Sequence, residues 1–297
     1  MSSNDSPLIF PTFLSLDPEV HSYQNASIVV LPIPYDNTAS FKTGARDGPD
    51  AIITASKELE EYDLELGYEP ACIGIHTASA LEPHMGSPEN MSGRITNAVK
   101  PVVNSRKVPA ILGGDHSVTV GAVRAMKLVH SDLSVLYLDA HADYREDYLG
   151  TRWGHASTAK RVAELCPVTL VGVRSMSGEE AHAIHNSSTQ MFHVNGDYIY
   201  DSWDPVIASL SSHVYISVDL DVFDPSFMSA VGTPEPGGLG WYSTLRLLRQ
   251  VGERCHIVGF DVVELTPREG PTSCAYVAAK LVYKLIGYTA ILNPQTQ

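Results

Sequence analysis

Along the chain, short apolar runs alternate with longer stretches whose apolar positions recur at helical spacing, and polar, glycine- or proline-bearing breaks separate the two. The runs at 27–33, 108–112, 134–140, 168–173, 214–220 and 256–263 predict strands, with shorter ones at 71–75 and 190–194. The helical stretches fall at 49–60, 88–105, 117–129, 157–165, 178–186, 202–210, 241–251 and 272–286. Two helix starts carry a proline suited to the first helical position, Pro49 and Pro88, the latter behind Ser87 as a candidate N-cap.

Strands that are apolar on both faces and separated by helices predict a mostly parallel sheet covered by helices on both sides. No repeat, low-complexity tract or boundary interrupts the alternation. It therefore predicts one domain over 27–297, preceded by an arm at 1–26 whose apolar residues, Leu8, Ile9, Phe10, Phe13 and Leu14, suit packing on the body or on a neighbouring subunit. The long loop at 223–240, stiffened by Pro225, Pro234 and Pro236, is of the kind that lines an active site. The loop at 42–49 suits either an ordinary connection or a substrate entrance.

Polar chemistry enters this pattern at the carboxyl ends of strands, where ligands bind in such sheets. The central run Ser134-Val135-Leu136-Tyr137-Leu138 leads into Asp139-Ala140-His141-Ala142-Asp143. Residues two apart on an extended strand share a face, so Asp139 and His141 converge. Asp143 joins them either by staying extended or by turning back. The run ending in Asp219-Leu220-Asp221 delivers two more carboxylates in the same way, Gly113-Gly114-Asp115-His116 adds an imidazole, and Glu264 closes the strand at 256–263. Of these, His116, Asp139, His141, Asp143, Asp219 and Asp221 offer two imidazoles and four carboxylates, which suit a pair of hard or borderline divalent ions such as manganese better than zinc in a thiolate cage. The charges agree: four ionised carboxylates in one crevice repel each other, and two divalent ions cancel them. His155, in Gly154-His155-Ala156, stands at the rim of the same crevice, as a solvated loop histidine or as an acid–base group.

Composition narrows the partners. The formal net charge of −14 argues against nucleic acid or an anionic membrane surface and is compatible with a small cationic substrate. The hydrophobic fraction of 44% is ordinary, and no run approaches the length of a membrane span. Four scattered cysteines without a Cys-x-x-Cys spacing, and a first segment without a basic region and apolar core, point to a cytoplasmic protein with reduced thiols.

Gly113-Gly114-Asp115-His116-Ser117, Asp139-Ala140-His141-Ala142-Asp143 and Ser217-Val218-Asp219-Leu220-Asp221-Val222-Phe223-Asp224-Pro225 resemble, in order, the three signatures of the ureohydrolase family of arginases and agmatinases. Gly232-Thr233-Pro234-Glu235-Pro236-Gly237-Gly238 and Val262-Val263-Glu264 resemble two further patterns of that family, and the likeness spans about 27–287. The resemblance implies a three-layer α/β/α fold with a sheet of about eight strands, two Mn²⁺ per subunit, and hydrolysis of a guanidino compound to urea and an amine. It implies that His116, Asp139, Asp143 and Asp219 hold one ion and His141, Asp139, Asp219 and Asp221 the other. It also implies that His155 is the acid–base histidine, that Glu264 binds the guanidinium, and that the chain forms a trimer or hexamer.

The loop at 144–153 departs from the arginase pattern, which together with Gly154-His155-Ala156 leans towards agmatine as substrate. Glu146 and Asp147 would favour its free ammonium, whereas Arg145 or Arg152 would suit a carboxylate, as in guanidinobutyrate or guanidinopropionate. Two rival classes are a metallophosphoesterase, whose later Gly-Asp and Gly-Asn-His loops are missing, and a catalytically silent metal-binding homologue, against which the intact ligand set argues.

Overall fold

The computed structural model describes residues 10–193 and 202–291. Eight strands form one sheet: β1 (Ile28–Ile33), β2 (Ile75–Thr77), β3 (Val108–Gly113), β4 (Leu133–Leu138), β5 (Val168–Val171), β6 (Gln190–Phe192), β7 (His213–Asp219) and β8 (His256–Val263). Their order is β2-β1-β3-β8-β7-β4-β5-β6, and every pairing is parallel. The α-helices among the described residues are α1 (Gly48–Ser56), α2 (Pro88–Asn104), α3 (Val118–Lys127), α4 (Thr158–Ala163), α5 (Gly178–His185), α6 (Asp204–Ala208), α7 (Trp241–Arg254) and α8 (Ser273–Thr289).

Strand parity divides the core in two. Leu136 and Leu138 of β4, with Val214, Ile216 and Val218 of β7, pack against Ile52 of α1, Leu247 of α7 and Leu281 of α8. Val135, Tyr137 and Tyr215 face the opposite layer, built on Ile95 of α2, Val123 of α3 and Val162 of α4. This is the three-layer arrangement expected of strands with two apolar faces. Among the described residues no helix is long and apolar enough to cross a membrane.

Several boundaries differ from the pattern. The strand expected at 71–75 is a 3₁₀ turn, Pro70–Ile73, and β2 follows it. Gly74, at φ +81°, makes the break. β4 ends at Leu138, so Asp139 lies just past it. Of the arm, Phe13 and Leu14 are buried in the α1/α8 layer, and their N–H groups donate to Thr77 Oγ1 (3.0 Å) and Ser56 Oγ (2.9 Å). Leu8, Ile9 and Val194 lie outside the described residues.

The chain order leaves β3 for β4 across a gap that β7 and β8 later fill. The carboxyl ends of β3, β8, β7 and β4 are thus brought side by side in mid-sheet, where the connections change direction. Gly114 lets the end of β3 pass against the segment that follows β1, where a Cβ would sit 1.9 Å from the Tyr35 carbonyl oxygen. The Gly114 carbonyl accepts from the Glu264 N–H (2.8 Å), which ties the ends of β3 and β8 together.

On the far side of the α1/α8 layer, the buried Lys284 ammonium donates to Asp63 Oδ1 and Glu65 Oε2, both at 2.7 Å, and Tyr288 also donates to Glu65. Burial opposes ionisation of both carboxyls, but Lys284, together with the Leu66 N–H at Asp63 and with Arg249 and Tyr288 at Glu65, outweighs it and holds each below its ordinary value. Lys284→Met is expected to lower the unfolding free energy at pH 7 by about 3 kcal/mol, the lower end for breaking a buried pair. Because the folded-state values are depressed, this contribution is present above about pH 4 and is lost as pH falls through them. Urea melts of both proteins should converge on the acid side.

Candidate metal centre and active-site pocket

The six predicted donors meet at the mid-sheet crevice. His116 follows β3, Asp139 and His141 follow β4, Asp219 ends β7, and Asp221 stands in the turn after it. His116 Nδ1 lies 3.0 Å from Asp139 Oδ2, 3.2 Å from Asp219 Oδ2 and 3.5 Å from Asp143 Oδ2. His141 Nδ1 lies 2.9 Å from Asp221 Oδ2 and 3.5 Å from Asp139 Oδ1. Two compact groups result, His116–Asp139–Asp219 and Asp139–His141–Asp221, each with donor atoms within 4.8 Å of one another and with Asp139 common to both. Asp143 stands beside the first group, outside these two triads. It reaches the cluster by turning back, at φ +49°.

Three of the six donors, His116, Asp143 and Asp221, are held by a partner behind them. His116 Nε2 is 2.8 Å from Ser217 Oγ, which donates to Asp261 Oδ1 (2.7 Å); Tyr215 and Thr119 donate to the other Asp261 oxygen. An ionised Asp261 can only accept, so the Ser217 hydroxyl then accepts from His116 Nε2–H, and a neutral His116 ring would turn its Nδ1 lone pair towards the carboxylates. The Tyr137 hydroxyl donates to Asp143 Oδ2 (2.8 Å). The Ala140 N–H donates to Asp221 Oδ1 (3.0 Å), and Glu180, in the capping box of α5, accepts from the Tyr144 N–H (3.0 Å) just past Asp143.

The electrostatics are those of a concentrated negative site. Burial, reinforced by neighbouring aspartates, pushes Asp143 and Asp219 well above the carboxylate range and raises Asp221. Burial also opposes charge on His141 and on Asp139. The Asp139 and Asp221 carboxylates nevertheless carry His141 up to about 12, and the imidazoles of His116 and His141 hold Asp139 down. His116 Nδ1 and Asp139 Oδ2 are buried without a properly directed hydrogen bond. Buried polar atoms are rarely left so. Orphaned N and O donors converging among four carboxylates fit a pair of hard or borderline divalent cations.

A cavity of about 300 Å³ opens over this cluster and is lined by His141, Asp143, Asp219, Asp221, His155 and Glu264, among others. Glu264 adopts φ +66°, and its Oε1 accepts from the His116 N–H (2.7 Å); among the described residues Oε2 has no hydrogen bond. Burial, then the Asp115 charge, raises its carboxyl well above the usual range. His155 is fixed by two hydroxyls, Thr38 Oγ1 at 3.3 Å from Nδ1 and Ser40 Oγ at 3.2 Å from Nε2. Asp115, which joins neither donor group, accepts from the Thr38 N–H (2.9 Å) and hydroxyl (2.7 Å) and so holds the hydroxyl that holds His155. Burial keeps the His155 imidazole below its ordinary value.

The mouth differs from the sequence expectation. Glu146 pairs with Arg152 (2.5 Å) and Arg161 (3.3 Å), and neither it, Asp147 nor Arg152 lines the cavity. The charged residues that do line it, beyond the donors and Glu264, are Lys42, Arg145 and Glu180. Glu235 stands close by, its Oε1 3.8 Å from His141 Nε2. Of the loop at 223–240, Gly232 and Thr233 reach the cavity, and of the segment before α1, Ala39 to Lys42 do. Asp115, Ser217 and Asp261 escape a search for ligand spacing, although a serine and an aspartate inside otherwise apolar strands signal buried polar partners.

Residues 26–287 match the model of the arginase family. The chain is 37% identical to an N(1)-aminopropylagmatine ureohydrolase of Synechocystis over 91% of each chain. It is 34% identical to an agmatinase of Pyrococcus horikoshii, over 95% of this chain and all of that one. The crystal structure of the agmatine ureohydrolase of Thermoplasma volcanium superposes with a TM-score of 0.87 over 98% of both chains, at 32% identity. With the match of the family model, these likenesses make this chain a member of the arginase family.

Proposed function

We propose that the protein hydrolyses a guanidino compound bearing a cationic tail, agmatine or its aminopropyl-extended form, to urea and the corresponding amine, with two manganese ions per subunit. The observation that carries this reading is the convergence of two donor triads sharing Asp139 on one cavity that also holds Glu264 and His155. His116, Asp139, Asp143 and Asp219 would hold one ion, and His141, Asp139, Asp219 and Asp221 the other. When bound, such a pair makes a nucleophile available at neutral pH by lowering the pKa of water.

The side chains divide the remaining work. A guanidinium is a resonance-stabilised, poor electrophile, so its orientation matters. Glu264 is anchored through Oε1 on the His116 N–H and offers Oε2 to the planar fork of donors. Asp143, backed by the Tyr137 hydroxyl, is placed to take the proton that the attacking water gives up. His155 is placed to deliver a proton to the alkyl-substituted nitrogen as its bond to the guanidino carbon breaks, and Thr38 and Ser40 fix the ring for that transfer. Glu180 and Glu235 replace Glu146 and Asp147 as the carboxylates placed to attract the cationic tail, a preference that the aminopropylagmatine and agmatine substrates in the relatives' names support. The same reading makes the enzyme a cytoplasmic homo-oligomer.

Assay of urea release with added manganese across agmatine, aminopropylagmatine, guanidinobutyrate and arginine is expected to give the highest kcat/KM on one of the first two. A higher value on guanidinobutyrate would overturn the cationic-tail assignment, and no urea from any of them would favour a silent homologue. Glu264→Gln keeps an acceptor for the His116 N–H but loses the charge. It should cost roughly 10- to 100-fold in kcat/KM, the scale of a charge-assisted hydrogen bond, with metal content unchanged. For His155→Asn the loss should fall on kcat, by about 10² to 10⁴, with KM far less affected.

A further inference from the structure

Arg174, just past β5, touches none of the reacting groups, yet its backbone and side chain grip three segments around one half of the cluster. Its N–H donates to the carbonyl of Ala140 (2.8 Å), the residue between Asp139 and His141, and the next N–H, of Ser175, donates to the same oxygen (3.0 Å). The guanidinium then reaches across to the turn after β7, where Nη2 donates to the Asp221 carbonyl (2.8 Å) and to that of Phe223 (3.3 Å), and Nη1 to that of Val222 (3.3 Å). Nη2 also meets the Glu235 carbonyl (3.0 Å) and Nε the Pro236 carbonyl (3.1 Å), while Nη1 returns to Gly172 (3.2 Å). A half-buried cation thus spends its fork on main-chain oxygens.

The grip is one-sided. Ala140, Asp221 and Glu235 flank the Asp139–His141–Asp221 group, with Glu235 Oε1 3.8 Å from His141 Nε2. The His116–Asp139–Asp219 group is braced by Ser217 and Asp261, which Arg174 does not touch. Gly172, at φ +101°, lets the end of β5 pass close enough for this contact, since a Cβ there would lie 2.5 Å from Val222 Cγ2 and 3.0 Å from the Asp139 carbonyl oxygen.

We propose that Arg174 is a positioning residue for the His141 half of the centre: by clamping the 140, 221–223 and 235–236 segments together it sets the affinity for one ion of the pair and leaves the other to the Ser217–Asp261 brace. This rests on the two-ion reading above. Lysine keeps the charge but is a point donor without the fork. Three donors on one nitrogen cannot span the six carbonyls that the guanidinium fork reaches.

The test loads wild type, Arg174→Lys and Arg174→Ala with manganese(II) and dialyses each against graded chelator. Metal content and the manganese electron paramagnetic resonance spectrum are measured, and the melting temperature of each metal-free protein is recorded beside them. The expected result is that Arg174→Lys gives up one ion at chelator strengths roughly 10- to 100-fold lower than wild type, the scale set by outer partners of metal ligands. It should retain the second ion, with the spectrum of a lone ion in place of a coupled pair and a metal-free melting temperature close to that of wild type. Wild-type retention of both ions by Arg174→Lys would overturn the proposal while leaving the two-ion reading intact. Loss of both ions in one step, with a collapsed metal-free melting temperature in the lysine variant, would also overturn it, by showing a general structural role. A wild type that never holds two ions overturns the two-ion reading and this proposal together.

Discussion

Two like charges about 4 Å apart repel by about 4 kcal/mol at an effective dielectric near 20. Asp139 keeps donor oxygens within 4.8 Å of those of both Asp219 and Asp221, with Asp143 beside them. A sheet that ended four strands in this way without compensation would be pushed apart at its centre. The protein answers in two layers. Imidazoles stand between the carboxylates, and behind them a ring of donors, Tyr137, Ser217, the Ala140 N–H and the Arg174 fork, takes up the remaining oxygens and carbonyls. What remains unsatisfied is concentrated at His116 Nδ1 and Asp139 Oδ2, on the inner side of the cluster.

Holding such a set together demands unusual backbone. Asp143 and Glu264 both occupy the left-handed region, which side-chain-bearing residues seldom adopt and which costs of order 1 kcal/mol or more at each position. Both are over-determined by their surroundings. The carbonyl of Asp143 accepts from the Lys160 N–H and its side chain from Tyr137, while Glu264 is tied by its N–H to Gly114 and by its carboxylate to His116. In each case it is a left-handed turn, not an extended continuation of the strand, that presents the carboxylate to the cavity. Backbone strain and the cavity lining coincide at these two residues.

Much of this was legible in the chain. Eight apolar runs alternating with helical stretches specify the parallel, helix-covered sheet, and period-two parity puts Asp139 and His141 on one face. The errors lie where long-range contacts overrule local pattern. The second strand shifted because Gly74 breaks the run, and β4 stopped short of the ligands it presents. Glu146 and Arg152 looked like substrate contacts because the loop that holds them adjoins the centre, but pairing between neighbours of opposite charge absorbed both. Arg174 leaves no such signal: its partners across the site are main-chain carbonyls 47 to 62 residues onward, and carbonyls have no residue type to read.

The division between a rigid floor and a less constrained mouth follows from the same physics. At the floor, five of the six donors are fixed by a hydroxyl or a main-chain N–H, because a shift of a fraction of an ångström there changes the balance of charges that keeps the strands together. At the mouth, Lys42 pairs with Glu269, Arg145 stacks over Tyr148 and approaches Glu180, and Ser40 holds only one edge of His155. These contacts are exposed or partly so, and each contributes little to stability. Substitution at the mouth can therefore change what the cavity admits without disturbing the cluster, whereas substitution at the floor reaches the sheet.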